Sequence, residues 1–414
     1  MRRLLTVLVL LGVASWPGWA QSGGAQSSGV QPGGWFQWRG PNRDGKSLET
    51  GLLKDWPQGG PPQLWRVAGA GAGYSSFAAA GGRLFTLGNR NGKEYVLAFD
   101  EATGAKVWET VNGAAFTNDR GDGPRSTPTV DGERLFALGA SGDLSCLELL
   151  SGKIIWKKNV LKEFRGDNPY WGLSESPLVL SDRVLINAGG QDGGMVAFNK
   201  ATGAVLWKSE RDPAGYSSAV LARVGPTTQA VFMTEQRALG VDVGTGKVLW
   251  SYDRASNNTA NIATPIVSGD RVFVSSAYDT GGALLQLSPA GGVREVYFTR
   301  AMMTHQATAV LVGDHLYGFS NSILAALRFS DGKLAWQHRS VGKGSVIWAD
   351  DRLYLFSENG VMGLAEANPA QYVERGRFRI GQGELPTWSH PIISNGRLIL
   401  RDQGTIYAFD IKAK

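Results

Sequence analysis

A basic residue followed by two apolar ones recurs along this chain, at Arg83-Leu84-Phe85, Arg134-Leu135-Phe136, Arg183-Val184-Leu185, Arg271-Val272-Phe273, Arg352-Leu353-Tyr354 and Arg397-Leu398-Ile399. Weaker copies stand at Gln229-Ala230-Val231 and His315-Leu316-Tyr317. The intervals are close to the roughly 40 to 50 residues of a four-stranded propeller blade. A second pattern, A-x-D-x-x-T-G-x-x-x-W, follows the first trio in full as Ala98, Asp100, Thr103, Gly104 and Trp108. Its frame returns at Gly152 and Trp156, Gly203 and Trp207, Gly246 and Trp250, and Gly332 and Trp336, with degraded copies ending near Tyr297 and Phe378. The pattern predicts a third strand, a tight turn whose glycine supplies a left-handed dihedral, and an outer strand whose Trp covers the seam to the next blade.

The last copy begins at Ala408-Phe409-Asp410 and Lys414 follows before an outer strand has room to form. Pro61-Pro62-Gln63-Leu64-Trp65 carries the outer-strand pattern with no three-stranded unit before it. The expectation is that this segment completes blade eight and leaves the ring no open edge. The fold class is therefore all-β: an eight-bladed β-propeller of four-stranded antiparallel blades over 61–414, ring closed by an N-terminal strand.

Composition agrees, since 56 Gly and 14 Trp in 414 residues suit many short strands and tight turns better than a helical bundle, where each interior Gly costs about 1 kcal/mol. Met1-Arg2-Arg3, an apolar run from Leu4 to Ala14 and the small-residue ending Gly18-Trp19-Ala20 have secretory signal form. Residues 1–20 are read as a signal peptide cleaved near Ala20, and 21–60 as a flexible leader and N-terminal extension. The run is too short for a transmembrane anchor. The expected location is periplasmic or secreted, and the expected state is a monomer. A formal net charge of +6 gives no sign of nucleic acid as a partner. The sole cysteine, Cys146, takes the Ala position of the repeat and reads as a buried small apolar residue.

In a propeller the residues entering each innermost strand face the central channel. In order these are Tyr74, Arg125, Glu175, Tyr216, Asn261, His305, Lys343 and Trp388. A flat tricarboxylate cofactor needs cations for its carboxylates, oxygen ligands for an accompanying calcium ion and an aromatic floor. Arg125 and Lys343, Glu175 and Asn261, and Trp388 have those types in turn, with Glu175 a weak candidate for a general base. The plainer alternative is that polar side chains line any water-filled channel. Two connections between blades, Glu109 to Arg125 and Lys157 to Glu175, are long enough to read as a lid or a partner-binding rim, or as loops that only cap the mouth.

The repeat resembles that of the eight-bladed propeller family with pyrroloquinoline-quinone (PQQ) repeats, which includes quinoprotein alcohol dehydrogenases and the non-catalytic BamB-type outer-membrane assembly propellers. Trp35-Phe36-Gln37-Trp38-Arg39-Gly40-Pro41-Asn42-Arg43-Asp44-Gly45, with Gly73-Tyr74-Ser75-Ser76, is similar to a secreted bacterial subgroup of unassigned activity. With one cysteine, the adjacent-cysteine ring disulfide of many such dehydrogenases has no counterpart, and no lipid-modifiable Cys follows the signal. The leading expectation is an exported, non-catalytic binding or scaffold module that holds a protein partner or small-molecule ligand at its channel mouth. The alternative is a PQQ- and calcium-dependent dehydrogenase acting on an alcohol or sugar. A third reading is a carbohydrate-binding propeller using Tyr170, Trp171 and Trp388 as platforms.

Overall fold

The computed structural model describes residues 34–381 and 383–414, so the expected signal peptide and nearly all of the leader lie outside the described residues. Eight four-stranded antiparallel sheets follow one another around a ring. Blades one to seven occupy 78–114, 129–159, 178–208, 220–252, 266–299, 310–338 and 344–379. Blade eight combines the three strands within 392–410 with the strand Gln63–Ala68. That strand runs antiparallel to Thr405–Asp410, pairing Trp65 with Ala408 and Ala68 with Thr405. It starts two residues later than the Pro61 boundary expected from sequence, because Pro61 and Pro62 have no N–H to give a ladder.

Each basic-apolar trio opens the second strand of its blade, except in blade four, where the strand already begins at Thr227. The connections read as long are partly ordered elements. The outer strand of blade one runs on to Ala114, and that of blade two to Asn159, whose side chain caps the short helix Val160–Phe164. Cys146 is fully buried, and burial pushes its thiol up to about 11.

The seams between blades explain the repeat. The indole N–H of Trp65 donates to the Glu101 carbonyl, Trp108 to Leu149, Trp156 to Lys200, Trp207 to Val243 and Trp336 to Asn368, each in the following blade, at 2.8 to 3.2 Å. Tyr297 substitutes its hydroxyl, donating to the Phe329 carbonyl at 3.0 Å. The glycine of the following turn lies under the ring: a Cβ on Gly104, Gly152, Gly203, Gly246 or Gly332 would come within 3.0 Å of Trp65, Trp108, Trp156, Trp207 or Tyr297 in turn. Their φ values of 72 to 77° are also left-handed, so glycine is needed twice over. The arginines of the trio serve the same seams, Arg83 donating to Leu150, Arg134 to Lys200 and Arg183 to Val243. Trp250 departs from the expectation: its indole N–H turns to Gln229 of its own blade, because blade five has Ser288-Pro289 where the turn motif would stand.

The seam from blade eight to blade one carries a further device. Arg401 is wholly buried in the second strand of blade eight and donates to the carbonyls of Gly71, Ser75, Leu87 and Gln403 and to the Thr86 hydroxyl. Burial lowers its pKa to about 9.

Inside the ring, hydroxyls just after the channel positions link neighbouring inner strands. Ser75 donates to the Ser126 carbonyl, Ser176 accepts from Thr127 N–H, Ser218 from Ser176 N–H, and Thr308 from Thr264 N–H, while Ser217 donates to the Ala263 carbonyl.

Because the Trp207 ring is what a methyl on Gly246 would strike, at 2.5 Å, Gly246→Ala is expected to destabilise the protein by about 2 to 3 kcal/mol. In a Trp207→Ala background the same change should cost only the dihedral part, about 1 to 2 kcal/mol. Urea denaturation of the four-protein cycle measures this, and strictly additive losses would contradict the seam geometry.

Candidate functional site

The extension before the closing strand enters the ring. Trp35 exchanges two backbone hydrogen bonds with Ala79, and the Phe36 carbonyl accepts from Val130 N–H. The Trp38 indole donates to the Thr264 hydroxyl at 2.9 Å and its ring lies 4.5 Å from that of His390. Arg39 donates to the carbonyls of Thr308 and Ala309, and Arg43 to those of Ser176 and Pro177. Both arginines are buried, and desolvation lowers each to about 10. The backbone folds tightly here, with Arg39 at φ 60°, Gly40 at 84°, Arg43 at 57° and Gly45 at 80°. The segment then pairs Lys46 with Trp348 and Leu52 with Lys412, and Trp56 packs edge-on against Phe378 and Tyr354. It thus touches blades one, two, three, five, six, seven and eight, and occupies space that sequence reasoning treated as an open channel. The signal was the Trp35 to Gly45 stretch, whose aromatics and arginines had no place in the repeat.

Above this segment the expected channel residues come together in part. Tyr74 and Trp388 have ring centroids 5.0 Å apart, and the Arg125 guanidinium lies over Tyr74 at 5.2 Å and over Phe116 at 5.7 Å. Tyr216 stacks tilted on Trp171, with Tyr170 edge-on beyond it. His305 Nε2 meets the Tyr278 hydroxyl at 2.8 Å, and burial with the nearby Lys343 charge holds the imidazole below its ordinary value. The two connections interlock into one rim: Asn118 donates to the Tyr170 carbonyl and the Tyr170 hydroxyl to Asp119. Tyr170 and Tyr278 remain 65% and 43% exposed, so the mouth presents aromatic faces to its surroundings.

Most polar groups of the expected set are already engaged by protein, the exception being Glu175 Oε1, which is buried without a hydrogen-bond partner among the described residues. Arg125 donates to the carbonyls of Gly121 and Gly123. Lys343 pairs with Glu358, which also accepts from the Trp388 indole. The Asn261 amide donates to Thr234, Glu235 and Asn257, and its oxygen accepts from Asn257 N–H and the Ser276 hydroxyl. Glu175 accepts from Asn187 N–H at 2.6 Å, and burial pushes it up to about 8 against the opposing charge of Arg43. The Asn261 carboxamide is saturated and Glu175 Oε1 is the one expected carboxyl oxygen without a hydrogen-bond partner among the described residues, far short of the six to eight oxygens a calcium ion needs. Nor does any group of three or more His, Cys, Asp or Glu among the described residues offer a metal site. The donor set does not fit PQQ with calcium either, since neither expected cation is free of protein partners. A groove of about 560 Å³ lies elsewhere, at the outer rim between blades three and four, and none of the eight expected residues lines it.

The family model described as outer membrane protein assembly factor BamB matches residues 92–338. Outer membrane protein assembly factor BamB of Shewanella oneidensis is 25% identical over 261 residues, a match covering 57% of this chain and 62% of that relative, less than two thirds of its length. Among solved structures, BamB from Moraxella catarrhalis superposes with a TM-score of 0.62 at 14% identity, over 85% of this chain and 100% of that one. Quinohemoprotein alcohol dehydrogenase from Comamonas testosteroni gives 0.63 at 13% identity, over 92% and 81%. At such identities the structural likeness speaks for the fold alone.

Glu175 generates a pH dependence. Its folded value of about 8 lies above the ordinary 4.5, so the folded chain holds a proton that the unfolded chain releases between those values. Stability is therefore expected to fall as pH rises through that window. Glu175→Gln, which keeps the acceptor for Asn187 N–H, should flatten the fall in melting temperature between pH 5 and pH 8.5. An unchanged slope would remove Glu175 as its source.

Proposed function

We propose, from the premise that this chain belongs to the family of outer membrane protein assembly factor BamB, that it is an exported, non-catalytic propeller that binds a protein partner of outer-membrane assembly at its channel mouth. The observation that carries this reading is the engagement of Arg125, Asn261, Lys343 and Trp388 by protein groups, which favours a recognition surface over a cofactor cradle at the mouth. Exposed Tyr170 and Tyr278, with Trp171, Tyr216 and Arg120 close by, have the aromatic and arginine composition of interface hot spots. The reading includes export after cleavage near Ala20, a periplasmic location and a monomeric propeller over 61–414. No described helix is long and apolar enough to cross a membrane.

Tagged protein purified from its own cell envelope should carry an outer-membrane assembly component in stoichiometric amount, and Tyr170→Ala with Tyr278→Ala should reduce recovery at least tenfold. In parallel, PQQ and calcium added to the pure protein should leave tryptophan fluorescence unchanged and support no alcohol-dependent dye reduction. Stoichiometric quinone binding that is lost in Trp388→Ala, with turnover of an alcohol, would replace this reading with the dehydrogenase.

A further inference from the structure

We infer that the interior of the ring is a peptide-binding site and that segment 34–48 is its ligand in cis, held by Trp38, Arg39 and Arg43 and exchangeable without unfolding the blades. The eight sheets close without the segment, although its Trp35 side chain is buried in the hydrophobic core shared by blades one, seven and eight. Every inner strand is already paired within its own sheet and the outer indole seams do not involve residues 34–48, whose side chains Trp38, Arg39 and Arg43 bind the belt residues Thr264, Thr308 and Ser176. The segment adds no strand to any sheet and makes only isolated bridges, Trp35 with Ala79 and Lys46 with Trp348. Its grip is instead that of a bound peptide, in which side chains enter a receptor and donate to fixed main-chain carbonyls.

The segment's backbone is strained at two points. Arg39 and Arg43 both sit in the left-handed region, which costs about 1 to 2 kcal/mol per non-glycine residue and persists only where surroundings over-determine it. The segment also carries its own turns, with Gly40 N–H donating to the Gln37 carbonyl, Arg43 N–H to Gly40 and Gly45 N–H to Arg39. The two guanidinium groups, four residues apart, reach carbonyls three blades apart on the ring, Ser176 and Pro177 at the entry to blade three and Thr308 and Ala309 at the entry to blade six. The ligand class is therefore a tightly turned peptide with an aromatic residue next to an arginine and a second arginine four positions later. The fit is incomplete, since Arg39 Nε and Arg43 Nε have no hydrogen-bond partner among the described residues. Such a segment can leave while the ladder bonds of the blades stay intact.

The exposed turn at Gln58 and Gly59 joins the segment to the closing strand and accepts a protease recognition site. After cleavage, the N-terminal fragment should co-elute with the ring and be displaced by excess fluorescent peptide of residues 34–52, with the blade circular dichroism unchanged. Peptides carrying Arg39→Ala or Arg43→Ala should bind at least tenfold more weakly, about 1.4 kcal/mol. In the uncut chain, the amide protons of Ala79, Val130 and Trp348, which donate to the segment, should exchange through an opening well below global stability. The inference fails if the fragment leaves only where the blades unfold, if the arginine variants bind as well as the parent peptide, or if those three amides exchange only by global unfolding.

Discussion

A ring of separate sheets exists only if each sheet grips the next, and in this chain the grip is one hydrogen bond repeated: an outer-strand ring N–H or O–H onto the carbonyl just past the third strand of the following blade. At 2.8 to 3.2 Å it recurs from Trp65, Trp108, Trp156, Trp207, Tyr297 and Trp336. All but the Trp336 bond also lay a large aromatic over a turn glycine, so hydrogen bonding, apolar burial and the demand for a left-handed backbone fall on the same few residues. Where the pattern lapses, other groups take over. Between blades four and five a Gly292 N–H reaches the Leu249 carbonyl, and between seven and eight Phe378 packs on Gly60 and Phe409. The closing seam combines Trp65 with Arg401, whose guanidinium binds four carbonyls and a hydroxyl at the junction of the last and first blades.

This economy is why so much of the fold was legible in the sequence. A bond made once per blade leaves a period, and the Gly-to-Trp spacing after Asp100 records the turn, the outer strand and the seam together. Closure was legible for the complementary reason: an outer-strand pattern stood at 61–65 without a blade, and a blade stood at 392–410 without an outer strand. The segment at 34–48 was not legible as ring filling, because each of its contacts is made once. Thr264, Thr308, Ser176 and His390 belong to different blades, and nothing in their spacing shows that Trp38, Arg39 and Arg43 reach all of them.

The mouth shows a different limit. Chain order implied that Tyr74, Arg125, Tyr216, His305, Lys343 and Trp388 enter inner strands, but residue type says nothing about what a side chain already binds. Lys343 was a candidate carboxylate partner until Glu358 stood beside it, and Asn261 a candidate calcium ligand until its amide was found holding the backbone of 234, 235 and 257. Glu358 and Asn257 lie outside the repeat, so no periodic reading could supply them.

Together the buried arginines and the seam separate the two tasks of the molecule. Two guanidinium groups inside a ring are an expensive way to gain stability, since desolvation of a charge costs more than most hydrogen bonds return, and apolar filling of the same volume would hold the blades at least as well. What they provide is direction: donors aimed at particular carbonyls fix one register of the segment. The seams and the hydroxyl belt carry the ring, so the interior is left to recognise a sequence. The mouth keeps its own order, with its loops interlocked through Asn118 and Tyr170 and the faces of Tyr170 and Tyr278 exposed.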